Sequence, residues 1–302
     1  MTAAGGPVFL VGAARSGTSL LYKVMALHPE SSWLSNWIQR FPKAPQLAAL
    51  NRAARTLPER RRQVWFGRDG DNAYVYGARR RLQDRLFPMP AEAETFYDSC
   101  GISQEGEGSL PTEPSDARSL RRGFDTISRW DGGRRVLSKR IANNRRIRLL
   151  SDAFPDARFI EIVRDGRAVA ASLSTVDWWE TSPVWWYGGT PEDWRREGRD
   201  PWELCARNWV EEVRVVRSGL SDLSPTRVLS LRYEELVRDP GSVVERAIAF
   251  SNLDPAAPEW RTALGEVRFP NQNDRWRTTI PDSGQAVIES VQGSELEHYG
   301  YR

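Results

Sequence analysis

The chain has 302 residues, 40% hydrophobic and 27% charged, which is enough for one sizeable core and excludes a fibrous, collagen-like or mostly disordered protein. Its 43 Lys and Arg against 40 Asp and Glu leave a formal charge of +3, an excess that says little about partners, and no nucleic-acid partner is expected. No stretch approaches the roughly 18 uninterrupted apolar residues of a membrane span, and the opening MTAAGGPVFLVG lacks a charged leader, so a cytoplasmic protein is expected.

Cys100 and Cys205 make no disulfide framework, and His28 and His298 lie too far apart in sequence to form a zinc cluster, so no metal is expected. No repeat, low-complexity tract or long linker divides the chain, and a single domain over residues 1–302 follows. The first short apolar run is Pro7–Val11, followed by a helical pattern over Gly17–Leu27 with Leu20, Leu21, Val24 and Leu27 at helical spacing. Residues 31–131 read as a helical insertion broken by prolines. Arginines crowd Arg52–Arg62, Arg79–Arg85 and Arg118–Arg122, where solvated helix faces are expected, and 134–148, which runs into a buried-looking strand.

Further strands are predicted at Arg135–Ser138, Arg158–Val163 and Arg227–Leu231. The third run leads into a helix over Gly166–Ser174, and the fourth into one at Gly241–Phe250 behind Pro240, a favoured first position. Residues 175–200 form a Trp-rich loop. Strands alternating with helices predict an α/β fold with a mainly parallel sheet flanked by helices, the two inserted segments forming the walls and lid of a site.

Between the first strand and helix stands Gly12-Ala13-Ala14-Arg15-Ser16-Gly17-Thr18-Ser19. Small residues let backbone N–H groups face an anion, and the helix start adds its positive end. The two glycines have the spacing of the triphosphatase loop GxxxxGK[ST], but Thr18 occupies the lysine position and the positive charge sits on Arg15. Without that lysine the loop is poorly equipped for a triphosphate, yet Arg15, the hydroxyls of Ser16, Thr18 and Ser19, and the backbone can hold a smaller phosphate group.

The run Phe9–Leu21, followed by Leu27-His28-Pro29, resembles the 5′-phosphosulfate loop of sulfotransferases that use 3′-phosphoadenosine 5′-phosphosulfate (PAPS), closest to the branch of tyrosylprotein and many bacterial enzymes. His28 in that pattern ends a helix and is no catalyst. A second segment, Phe159–Ser172, is similar to the family's 3′-phosphate site, which implies contacts from Arg164 and Ser172, with Arg167 at the surface or behind them. The same segment also fits the apolar-run-plus-Asp pattern of a magnesium-binding carboxylate, through Asp165. By resemblance Tyr233 lies near the nucleotide, and Arg275-Trp276-Arg277 falls where relatives place a basic loop over the 3′-phosphate and adenine.

Sulfuryl transfer, like phosphoryl transfer, needs cations at the donor and a base for the acceptor. The resemblance implies Lys139 as the residue assisting the leaving oxygen, with Arg140 able to share the role. For the base, the glutamate of tyrosylprotein sulfotransferases has no counterpart in Ser32–Trp37, so Glu92 is the first candidate, with Glu94 and Glu113 behind it. Tryptophans in the loop from Asp177 to Trp194 are candidates to wall a cleft for a small-molecule or glycoside acceptor. The expectation is a PAPS-dependent sulfotransferase. An ATP- and magnesium-dependent small-molecule kinase and a non-catalytic nucleotide- or polyanion-binding module are the alternatives.

Overall fold

A computed structural model describes residues 5–67, 81–103 and 114–302. Five strands, β1 (Val8–Val11), β2 (Ser31–Trp33), β3 (Arg135–Lys139), β4 (Arg158–Val163) and β5 (Val228–Arg232), form one sheet in the order β2-β3-β1-β4-β5. All the pairings are parallel, with Leu10 opposite Lys139 and Val11 opposite Glu161. The central strand is buried at every residue, as a parallel strand covered on both faces requires. Its pleat sends Val8 and Leu10 into a core with Leu21, Trp33, Ile160 and Trp260, and Phe9 and Val11 into a second with Phe124, Phe154 and Phe159.

The helices follow their strands as patterning predicts. Thr18–Met25 follows β1, Gly166–Leu173 follows β4, and Pro240–Phe250 comes after β5 and a short helix, Tyr233–Arg238. Helix Pro201–Ser221 packs against Gly166–Leu173 and against the closing helix Asp282–His298.

Two expectations are corrected. The segment read as a helical insertion from residue 31 begins with β2, an edge strand of three residues whose Trp33 is fully buried edge-on to Trp65, with ring centroids 5.0 Å apart. The first arginine block is not simply solvated. Arg55 pairs with the buried Asp131 at 2.5 Å and lies 4.7 Å from the centre of the Trp33 ring, while Arg61 is buried beside Trp65. Burial lowers the Arg61 guanidinium to about 10. Of the last block, Arg135, Arg140, Arg145 and Arg146 are buried, as its position against β3 suggested.

Candidate active site

Parallel strands deliver their C-terminal ends to one edge of the sheet, where ligands of open α/β folds gather. The β1 turn is built there around two glycines. Gly12 has φ +142°, and a Cβ on it would meet the Ile162 carbonyl oxygen at 2.3 Å. Gly17 has φ +91°, and a Cβ would stand 2.5 Å from Cδ2 of Tyr233. Between them Arg15 takes the left-handed conformation, φ +69°. The loop ends at Thr18, the first residue of an eight-residue helix whose leading N–H groups have no intrahelical acceptor. Ser16 Oγ is fully buried there with no hydrogen-bond partner among the described residues. An orphaned hydroxyl beside open helical amides is what an anion's oxygens would satisfy, so the loop fits a phosphate-type group.

The second phosphate candidate meets the first. Arg15 Nε donates to Ser172 Oγ at 2.8 Å. Arg164, the residue after β4, donates from Nη1 to the Arg15 carbonyl at 3.0 Å, from Nη2 to the Gln272 carbonyl at 3.0 Å, and from Nε to Asn273 Oδ1 at 3.1 Å. Its guanidinium carbon lies 4.4 Å from the centre of the Tyr233 ring. Burial pulls the Arg164 guanidinium down, and burial likewise pushes the Tyr233 hydroxyl up, with the Arg164 charge opposing it. Arg15, Ser16, Gly17, Thr18, Ser19, Arg164, Ser172 and Tyr233 thus belong to one neighbourhood.

The basic loop divides. Arg275 is exposed and donates to Gln272 Oε1 at 2.7 Å, next to the carbonyl that Arg164 engages. Trp276 is buried, with the guanidiniums of Arg167 and Arg277 each 4.6 Å from its ring centre, so it is no open platform for a purine. Arg277 is exposed and lies 3.6 Å from Asp274. Residues 272 and 273, rather than Arg277, join this loop to Arg164. Arg167 is held by Asp165 at 2.8 Å and by the Tyr301 carbonyl at 3.0 Å. Asp165 itself caps the following helix, accepting from the Arg167 N–H at 2.9 Å.

Across β1, at the end of β3, the two residues expected to be catalytic lie together. Lys139 Nζ donates to Glu92 Oε1, and the Ile141 N–H donates to Glu92 Oε2 at 3.1 Å. Lys139 is buried and Glu92 half-buried. Glu94 instead pairs with the fully buried Arg140 at 2.5 Å, and burial raises its carboxyl despite that cation. Arg140 lies 4.5 Å from the centre of the Tyr97 ring, and its two Nη atoms have no hydrogen-bond partner among the described residues. Burial pushes Tyr97 up to about 12, and its hydroxyl lies 2.6 Å from Ser138 Oγ. Glu113 lies outside the described residues.

Of the tryptophans from 178 onward, Trp179, Trp194 and Trp209 are buried and structural, Trp185 and Trp186 are half-buried, and Trp178 is exposed. His28 is not a catalyst in this geometry. Its Nε2 lies 2.9 Å from the Asp254 carbonyl, its Nδ1 accepts from the Glu30 N–H, and burial lowers its pKa. Asn144 was not anticipated: its amide accepts from the Gly12 N–H and donates to the Gly12 carbonyl, both at 3.0 Å. A separate cleft of about 750 Å³ opens along β5, lined in part by Glu161, Arg217, Ser230, His298 and Tyr299, and shares no residue with the phosphate loop.

A strand–loop–helix turn at the head of a parallel sheet, with a second arginine beside it, defines an α/β protein whose geometry fits an anionic group. The chain belongs to the sulfotransferase family, whose model matches residues 7–257. It is 24% identical to the omega-hydroxy-beta-dihydromenaquinone-9 sulfotransferase Stf3 of Mycobacterium bovis, over 98% of this chain and 75% of that one. Among solved structures, sulfotransferase STF9 from Mycobacterium avium matches with a TM-score of 0.58 at 15% identity, over 98% of this chain and 77% of that chain. Sulfotransferase STF1 from Mycobacterium tuberculosis matches at 0.54 and 17%, over 87% and 71%. These structural likenesses establish the fold.

Proposed function

We propose that the chain transfers the sulfuryl group of PAPS to a hydroxyl or amine of a small-molecule or glycoside acceptor, releasing 3′,5′-bisphosphoadenosine. The observation that carries this reading is the junction of the two anion sites, in which Ser172 bonds Arg15 and Arg164 bonds the Arg15 carbonyl. A nucleotide with charge at both ends is the ligand such a double site suits. Arg15, Ser16, Gly17, Thr18 and Ser19 would hold the 5′ group, Arg164 and Ser172 the 3′-phosphate, with Tyr233 beside them and Arg275 at the rim. When bound, the donor supplies a sulfuryl group already joined to a good leaving phosphate.

Lys139 then offers positive charge to the oxygen that departs, and Glu92 accepts the proton of an attacking hydroxyl. In the free protein each serves as the other's counter-ion. The exposed Trp178 and half-buried Trp185 supply aromatic surface for the acceptor. That Stf3 is named for a hydroxylated acceptor supports a hydroxyl as the attacking group. The reading needs no metal and takes the reaction to be cytoplasmic. Among the described residues no helix is long and apolar enough to cross a membrane, which by itself assigns no compartment.

The kinase alternative is less well supported, because Thr18 stands where a lysine would meet a triphosphate and Asp165 is committed to a helix cap and to Arg167. The test compares thermal stabilisation by 3′,5′-bisphosphoadenosine, by 5′-AMP, and by ATP with magnesium at equal concentrations. Stabilisation that requires the 3′-phosphate is expected. A preference for ATP with magnesium overturns the reading.

A further inference from the structure

A buried chain of hydrogen bonds runs from the tryptophan-rich segment to the phosphate loop. Trp185 Nε1 donates to Glu212 Oε1 at 2.8 Å, and Asn144 Nδ2 donates to Glu212 Oε2 at 2.6 Å. The same Asn144 amide brackets both polar groups of Gly12, the residue where β1 turns into the loop. Glu212 and Asn144 are almost wholly buried, and Arg145 reinforces the far end, 3.9 Å from Glu212 Oε1 and 4.9 Å from the centre of the Trp185 ring.

From these contacts we infer that Asn144 and Glu212 are positioning residues, through which the packing of Trp185 in the acceptor wall sets the geometry of the phosphate loop. Each link is obligatory for the next. The Asn144 amide has one orientation that serves Gly12 as both donor and acceptor, and Glu212 fixes that orientation by accepting from Nδ2. Glu212 in turn is a buried carboxylate whose other oxygen depends on the indole N–H. Removing that donor leaves a buried acceptor short of a partner, and the groups beside it that can shift to serve it are the Arg145 guanidinium, 3.9 Å away, and the Asn144 amide, the latter at the expense of Gly12. On its other side Gly12 faces the Ile162 carbonyl, so close that a Cβ would not fit between them. Movement of the wall therefore reaches the loop as a discrete loss or gain of two backbone hydrogen bonds.

The anion-binding consequence rests on the proposed function, but the coupling is readable without any ligand. Trp185→Phe keeps an aromatic ring beside Arg145 and deletes the donor together with part of the indole's volume, a loss that the Trp186→Phe control shares. Trp186→Phe deletes an indole donor from the same segment that serves Asn208 Oδ1 at 3.2 Å, and among the described residues no hydrogen bond carries that contact on to Gly12. Amide hydrogen exchange of the ligand-free protein is followed at Gly12, then affinity for 3′,5′-bisphosphoadenosine by calorimetry. Trp185→Phe is expected to speed Gly12 exchange at least fivefold and to weaken the nucleotide three- to tenfold, with Trp186→Phe within twofold of the parent in both. Unchanged Gly12 exchange in Trp185→Phe, or an equal response in Trp186→Phe, overturns the coupling. A Gly12 response in a protein whose parent form ignores the nucleotide upholds the coupling and defeats the PAPS reading instead.

Discussion

Arg15 and Ser172, 157 positions apart in the chain, are joined by a 2.8 Å hydrogen bond from guanidinium Nε to hydroxyl Oγ. The bond ties the turn after β1 to the helix after β4, so the two segments that resemble separate phosphate sites form one continuous surface. Arg164 closes the same junction by donating to the Arg15 carbonyl.

Arg164→Ala removes a buried charge with three donor contacts. A hydrogen bond to a charged group is worth about 1.5–3 kcal/mol, so affinity for 3′,5′-bisphosphoadenosine should fall about tenfold to a hundredfold. Titration calorimetry should find 5′-AMP, which lacks the 3′-phosphate, much less affected. Equal losses for both nucleotides would remove Arg164 from the 3′-phosphate.

Lys139→Ala and Glu92→Gln separate chemistry from binding. Turnover should fall about 10²-fold or more in each, the range of general acid–base and charge-stabilising roles, while nucleotide affinity changes little. Steady-state kinetics alongside calorimetry tests this, and full activity in Glu92→Gln would end its role as base.

Gly17→Ala should lower stability by about 1–2 kcal/mol from the left-handed backbone alone, with a further cost from contact with the Tyr233 ring. A melting temperature several degrees lower is expected. Tyr233→Leu in the same chain should restore part of it, a non-additivity that a double-mutant cycle measures. Strictly additive effects would mean the ring and the loop are not in contact in solution.

Glu161 supplies a pH dependence. Burial raises its carboxyl pKa, opposed by the Ser230 hydroxyl at 2.7 Å. With the folded value above the unfolded one, the folded protein binds the proton more tightly. The stabilisation is therefore full below the unfolded value of about 4.5 and lost as pH rises through the folded value. Glu161→Gln, neutral throughout, should gain stability over the parent as pH rises above that window. Urea melts across pH 4 to 8 that run parallel for the two proteins would refute it.

The sequence made the phosphate loop and the Arg164 segment legible because their residues are contiguous and their chemistry is local: glycines at fixed spacing, hydroxyls, and an arginine ending an apolar run. Strand β2 was hidden because two of its three residues are serines, whose hydroxyls read as loop until Trp33 is seen packed on Trp65. Arg55 and Arg61 looked solvated for a similar reason, their partners Asp131 and Trp65 being supplied by tertiary structure. Asn144 carries no sequence signal, since its importance lies in reaching Gly12 from 132 positions away. Glu212 did leave a trace, as a carboxylate on the apolar stripe of Trp209, Val213 and Val216. Glu92 and Lys139 were nominated separately, and only the fold places them in one ion pair.

The strand order itself works as a ruler. Lys139 ends β3 and Arg164 follows β4, with β1 between them, so their backbones are separated across the sheet by two inter-strand spacings, about 10 Å, and, because Lys139 and Ile160 both stand opposite Leu10, Arg164 lies four residues further along the strands as well. No single phosphate bridges that gap. On the proposed reading, with Lys139 facing the departing oxygen and Arg164 the 3′-phosphate, a small anion and a nucleotide fragment bearing the other charge would occupy separate halves without displacing one another, and an inhibitor that joins the two through a spacer of matching length would gain from both.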